Sequence, residues 1–162
     1  MNYVFDACAL INLANGAVLP VVLSIPASFY FVGTLVREEC GDLEVEIDDA
    51  IKSGRIQALD ESRIPAKIYL ELLAKFELGE GETECMTVAA TGDYIVVTDD
   101  GLARTVITHE LGKSKVTGSI GLLRTAVGNG LIDRNSSYNA YQLMRTMGAF
   151  LPNWSLDEAF PV

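Results

Sequence analysis

The residues best placed for chemistry are acids at the ends of apolar runs. Asp6 directly follows Tyr3-Val4-Phe5, and Asp99 and Asp100 directly follow Tyr94-Ile95-Val96-Val97-Thr98. Glu39 falls in the segment after a third such run, Ser28-Phe29-Tyr30-Phe31-Val32, and Glu84 in the first turns of a helix after Gly79-Glu80-Gly81. Four separate segments thus bring an acid to one edge of a sheet. Hard divalent cations take oxygen ligands, and Mg²⁺ is typically held by a few carboxylates together with water and substrate phosphate. One or two such ions lower the pKa of an attacking water and neutralise charge developing on a scissile phosphate. The competing reading is capping, because Asp6 and Asp100 both stand between a strand and a helix, where Asp is favoured as an N-cap. Spacing separates neither these two readings, nor Glu38 from Glu39, nor Asp99 from Asp100. Acids gathered beside apolar neighbours would repel one another unless something compensates their charge.

The other reactive residue types are poorer candidates. His109 is the only histidine and reads as the end of a helix, where a cation is favoured. A Ser-His-Asp or Cys-His enzyme would need it, and no GxSxG motif is present. Cys8, Cys40 and Cys85 form no CxxC pair and, being odd in number, no disulfide framework. Each lies one or two residues from an acid, which admits a thiolate zinc site. A helical neighbour points about 100° away, which favours core positions instead. Glu38, Glu80 and Glu82 are expected in solvent, with Glu82 able to support a ligand from behind. Gly118-Ser119-Ile120-Gly121 opens a helix and suits either a phosphate on its N–H groups or tight packing. It lacks the Lys of a P-loop, which excludes nucleotide hydrolysis of that type. Arg104 and Lys113 are candidate substrate contacts, through phosphate.

Alternating strand and helix patterns must position these groups. Strands are expected at residues 3–5, 28–32, 55–59, 94–98 and 115–117, the first, second and fourth as apolar or aromatic runs. Helices are expected at 9–13, 20–23, from 35, at 43–53, 65–78, 81–90, 101–111, 118–127 and 137–147. This alternation implies a three-layer α/β/α sandwich with a parallel sheet of about five strands. Ligands of such sheets bind at the carboxyl ends of the strands, where the acids lie.

Composition fits a chain with a real core: 49% of the 162 residues are hydrophobic and 21% charged. No apolar run reaches the ~18 residues of a membrane span, since Pro20 and Pro26 break the longest one. No basic leader opens the sequence, so the expectation is a cytoplasmic protein with no membrane partner. The net charge of −10 argues against strong non-specific nucleic-acid binding, which is mainly cation-driven. The charge is uneven, however. Residues 1–100 carry 18 acids and 6 bases, and residues 101–162 carry 4 acids and 6 bases. That polarity suits metal near the acidic part and phosphate near the other.

Four of these stretches resemble motifs of the PIN-domain ribonucleases, in the family's order. Val4-Phe5-Asp6-Ala7-Cys8-Ala9-Leu10-Ile11 resembles the first. Leu35-Val36-Arg37-Glu38-Glu39-Cys40 resembles the second, with Glu39 in the better register. Gly79-Glu80-Gly81-Glu82-Thr83-Glu84-Cys85-Met86 resembles the third and assigns the catalytic acid to Glu84. Thr98-Asp99-Asp100 resembles the T-x-D fourth and assigns it to Asp100. The resemblance implies a metal-dependent endoribonuclease. Asp6, Glu39, Glu84 and Asp100 would hold Mg²⁺ or Mn²⁺ with Asp99 beside them, water would be the nucleophile and RNA the substrate. Residues 115–123 with Gly130-Leu131-Ile132 resemble a prokaryotic subgroup related to the VapC toxins, which implies the toxin of a toxin–antitoxin pair and a protein antitoxin as partner. The likeness covers roughly residues 1–133. Residues 134–162 form a C-terminal helix and tail, either packed on the same domain or used for association, a homodimer included, through Tyr138, Tyr141, Met144 and Met147 and the segment 150–154. Two other readings stand beside this one. One is an inactive PIN-like module that binds nucleic acid or protein. The other is a phosphatase or receiver-like domain with Asp6 or Asp100 as phosphate acceptor, which wants a Lys near the acids, and none follows the motifs.

Overall fold

Three of the apolar runs become the inner strands of one sheet in the computed structural model, which describes residues 1–161. Strands β1 (Asn2–Phe5), β2 (Phe29–Val32), β3 (Gln57–Ala58), β4 (Ile95–Val97) and β5 (Val116–Thr117) are all parallel, in the order β3-β2-β1-β4-β5. The central strand pairs on both sides, Val4 standing opposite Phe31 and Val96. A parallel sheet is covered on both faces, so its inner strands read as continuous apolar runs, and Val4, Phe5, Val32 and Val97 are fully buried. Tyr30 stacks on Tyr3 and Phe5 at 5.6 and 5.5 Å, and its hydroxyl donates to Val22 O at 2.6 Å.

Helices α1 (Ala7–Asn15), α2 (Leu19–Val22), α3 (Thr34–Glu39), α4 (Glu44–Lys52), α5 (Ala66–Lys75), α6 (Glu80–Thr91), α7 (Gly101–Leu111) and α8 (Ser119–Gly128) complete the α/β/α layers. The third strand is shorter than the expected 55–59 because β3 is an edge, bonded to β2 alone. Helix α5 starts one residue later than expected because Pro65 holds an extended conformation just before it. Gly112 ends α7 at φ +99°, in the region that favours glycine. Among the described residues no helix is long and apolar enough to cross a membrane.

The C-terminal segment folds back onto the sheet layers. Helix α9 (Arg134–Thr146) packs on α1 and α8, with Tyr141 and Met144 fully buried. Asp133 caps its start through Ser136 N at 2.9 Å, three residues before the expected Ser137. A short helix absent from the sequence expectations, α10 (Leu156–Ala159), follows a Ser155–Glu158 capping box and returns Ala159 and Phe160 to the core. The Tyr141 hydroxyl clips this return: it donates to Pro152 O and accepts from Trp154 N–H at 2.9 Å. Tyr141→Phe leaves both groups without that partner and is expected to cost about 1–3 kcal/mol. Urea unfolding measures this, and a loss below about 0.5 kcal/mol would show that the clip does not hold the tail.

Candidate metal centre

All the candidate acids lie at the carboxyl ends of the strands, but they play different parts. Asp6 leaves β1 at the N-cap position of α1, yet its side chain does not cap the helix. Its Oδ2 instead accepts from Cys8 Sγ at 2.9 Å and Thr98 Oγ1 at 2.8 Å. Asp6 is only 2% exposed. Burial raises its pKa, the Cys8, Thr98 and Ala7 donors pull it down, and the charge of Asp100 adds to the rise. Asp100 does cap its helix, accepting from Ala103 N–H at 2.8 Å. Thr98, fully buried, ties the two acids, since its hydroxyl donates to Asp6 and accepts from Asp100 N–H at 3.1 Å. Burial, then the charge of Asp6, pushes the Cys8 thiol up to about 12, so it stays a proton donor.

The third and fourth carboxylates come to the N-terminus of α6. Glu39, at the end of α3, accepts from Gly81 N–H at 3.1 Å. A Cβ on Gly81 would lie 2.9 Å from both Glu39 oxygens, so glycine there opens the approach. Glu82 accepts from Gly79 N–H at 2.8 Å. Burial raises its pKa, the Gly79 N–H lowers it, and the charges of Asp6, Asp100 and Glu39 raise it further. Glu82 therefore shares one electrostatic environment with those three acids.

Glu84 takes a different direction from Glu82. Two residues along a helix is a turn of about 200°, and Glu84 points away from Glu82 to the start of α3. It is 3% exposed and packed against Gly33, and its Oε2 has no hydrogen-bond partner. Burial raises its pKa, while the backbone N–H groups of Thr34, Leu35 and Val36 offset part of the rise. Among the described residues Glu84 makes no hydrogen bond to Asp6, Glu39 or Asp100; its carboxylate lies against Gly33, the residue that follows β2. Asp99, expected beside the ligands, is engaged elsewhere. It accepts from Asn12 Nδ2 and Ser119 N–H, both at 2.8 Å, and from the Ser119 hydroxyl. Asp99 straps α1, β4 and α8 together.

The Gly118–Gly121 turn serves packing. Its Ser119 N–H is taken by Asp99, and a Cβ on Gly118 would lie 2.6 Å from Asp99 Oδ1 and 2.7 Å from Arg104 Nη1. Arg104 donates to Thr98 O at 3.1 Å, and Lys113 is exposed beyond the end of α7. His109 is exposed and pairs with Glu110 at 2.9 Å. Cys40 and Cys85 are buried as expected, with thiols pushed up to about 11 and further still by burial. Cys8 is half-buried and orients Asp6, a role not expected from sequence.

Among the described residues no three acid, Cys or His side chains stand close enough to enclose an ion; each site carboxylate is engaged by a local donor. The donor set is nonetheless all oxygen, which fits a hard divalent cation. Thiols with raised pKa values are poor ligands for a soft one. Sequence reasoning gave Glu82 only a supporting part behind a ligand and gave Thr98 and Cys8 no part in orienting Asp6. The signal for Glu82 was its place at the third position of α6, ahead of a run from Thr83 to Ala89 that is buried throughout.

A family model described as a PIN domain matches residues 2–160, well beyond the motif-bearing part and through α9 and α10. No curated protein and no solved structure matches the chain. With five parallel strands, acids at their carboxyl ends and a match over nearly its whole length, the chain belongs to the PIN-domain family, whose members are usually nucleases.

Proposed function

We propose that this chain is a divalent-metal-dependent ribonuclease in which Asp6, Glu39, Glu82 and Asp100 hold Mg²⁺ or Mn²⁺. The observation that carries the reading is Glu82. It is a half-buried carboxylate at the N-terminus of α6, beside the Gly81 N–H that holds Glu39; burial raises its pKa first, and the charges of Asp6, Asp100 and Glu39 add to the rise, so acids from four segments act on one another there. A cation in such a site supplies an activated water and neutralises charge on the phosphate being cut. The chain's own contribution is positioning. Thr98 and Cys8 both donate to Oδ2 of Asp6 and fix its orientation, and α6 presents N–H groups that hold Glu39 and Glu82 at the rim. The Glu39 and Glu82 side chains, longer and less buried than Asp6, have the rotational freedom to close on an ion. The narrower form of this reading, a toxin held in check by an antitoxin, rests on the likeness of residues 115–132 alone.

Two conservative variants test the assignment on a fluorescent RNA oligonucleotide with Mn²⁺. Glu82→Gln is expected to lower cleavage by at least about tenfold, the lower end of what changes around metal ligands cost. Glu84→Gln is expected to stay within a few-fold of wild type per folded molecule, because that carboxylate faces α3. The reverse pattern would return the ligand role to Glu84, and metal-independent cleavage would overturn the proposal.

A further inference from the structure

A groove of about 870 Å³ runs from Asp99 along α7 and α8 to the 149–154 segment. Its charged lining is four cations, Arg104, Lys113, Arg124 and Arg145, against one acid, Asp99. This is unexpected in a chain of net charge −10. Of the 12 Lys and Arg residues, Arg37, Lys52, Arg63, Lys67, Lys75 and Arg134 pair with acids. Among the described residues the four groove cations have no acid within ion-pair distance, although acids outnumber bases almost two to one. Three of them are nevertheless held in place by neutral groups. Arg104 donates to Thr98 O at 3.1 Å, Arg124 to Ala159 O and Glu158 O at 2.6 and 2.8 Å, and Arg145 to Gln142 Oε1 at 3.2 Å. A neutral acceptor fixes a guanidinium without cancelling its charge, which leaves it preorganised for an anion.

The far wall adds aromatic surface. Phe150 is fully exposed, and Trp154 lies under Arg124 at 5.5 Å. A lone, solvent-facing ring beside unpaired cations is the combination that binds single-stranded polynucleotide, with phosphates on the cations and a base face on the ring. A duplex hides its base faces in its own stack, and an acidic peptide has no use for the ring. The groove also starts at the site: Asp99 and Gly101 line one end, on either side of Asp100.

We infer that this groove holds a single-stranded stretch of polynucleotide on one side of the scissile bond, with phosphates on Arg104, Lys113, Arg124 and Arg145 and a base stacked on Phe150. The inference deepens the ribonuclease reading and rests on it for the position of the cut, while binding itself is measurable without cleavage. In EDTA, fluorescence anisotropy with a labelled eight-nucleotide RNA should show binding whose log K falls with log[salt] at a slope of about −2.8, at roughly 0.7 per neutralised phosphate. Arg145→Gln should reduce that slope by about 0.7. Phe150→Ala, at an exposed position that should spare the fold, should weaken binding about 5- to 150-fold. Circular dichroism melts confirm that each variant is folded. Single-stranded DNA of the same sequence distinguishes the sugar, and its binding at any strength also supports the groove. Tighter binding of duplex RNA or of a poly-glutamate peptide overturns the inference, as do unchanged affinity and slope in both folded variants. A protein that binds in this way but never cuts leaves the groove standing and removes the nuclease reading. One that cuts RNA with both variants unaffected does the opposite.

Discussion

Asp6→Asn is expected to lower metal-dependent RNA cleavage by at least about 100-fold, the upper end of what is lost when groups behind a metal ligand are changed, because here a ligand itself goes. Asn keeps the shape and can still accept from Thr98 and Cys8, so the fold should survive. The same substitution separates ligand from cap in a thermal-shift experiment. A cation at 100 times its dissociation constant stabilises a folded protein by about 2.7 kcal/mol. Wild type should show a rise in melting temperature with Mn²⁺, and Asp6→Asn much less of one. Equal rises in both would show that Asp6 is no ligand. Metal-free stability should change in the opposite direction. The pKa of Asp6 is raised above its ordinary 3.8 by burial, so from about pH 3.8 up through the raised value the native state holds more proton than the unfolded one. Stability contributed at this position therefore falls as pH rises through that window. Asp6→Asn removes the fall, so the metal-free variant should melt higher than wild type at neutral pH. Asp60, Asp133 and Glu158 have lowered pKa values and act oppositely, but they are exposed and should contribute little.

Gly33→Ala should be the most destabilising single methyl addition in the molecule. Its φ of −83° suits any residue, so the constraint is space. A Cβ there would stand 1.9 Å from Glu84 Oε2, 2.2 Å from Cδ and 2.6 Å from Oε1. Glu84 is 3% exposed and its carboxylate is stabilised by the N–H groups of the first turn of α3, so moving it aside gives up those partners, and the cost should fall in the roughly 1–3 kcal/mol range of ordinary overpacking. Glu84→Ala removes the obstacle. A double-mutant cycle is therefore expected to show the pair costing less than the two singles together, by at least about 1 kcal/mol. Strict additivity in urea unfolding would mean that Glu84 does not fill the space behind Gly33. This cycle also isolates the structural part of Glu84, since neither substitution touches Glu82, Asp6 or Asp100.

The parallel sheet was legible because buried strands such as Ile95–Val97 are apolar on both faces and end abruptly at acids. The order of elements and the place of His109 near the end of a helix followed from rules that act within a few residues. The acids were harder. In Gly79-Glu80-Gly81-Glu82-Thr83-Glu84 the alternation offers three glutamates, and only the helical phase decides which faces the sheet edge. That phase was readable from the buried run Thr83–Ala89, which carries Glu84 inward with it. Asp99 and Asp100 are adjacent, and what separates them is a contact with Ser119, twenty residues away. No local rule reports such a partner. The cationic groove was hidden for the same reason. Its charges come from α7, α8, α9 and the turn at Lys113, and they become one surface only when the tail is clipped back by Tyr141.

Strand β1 comes first in the chain, yet it is the middle of the sheet, and this sets the timing of folding during synthesis. Its partner on one side, Phe29–Val32, leaves the ribosome soon after it. Its partner on the other, Ile95–Val97, follows more than sixty residues later. In between, Val4 and Phe5 present an unsatisfied apolar edge, and parallel pairing over such a separation is intrinsically slow. A half-sheet of β1, β2 and β3 formed in that interval would leave open the edge that β4 closes. Such an open edge is a template for wrong strand pairing with other chains. Closure of the sheet on both sides of β1 therefore waits on residues 95–97, whatever the stability of the finished fold.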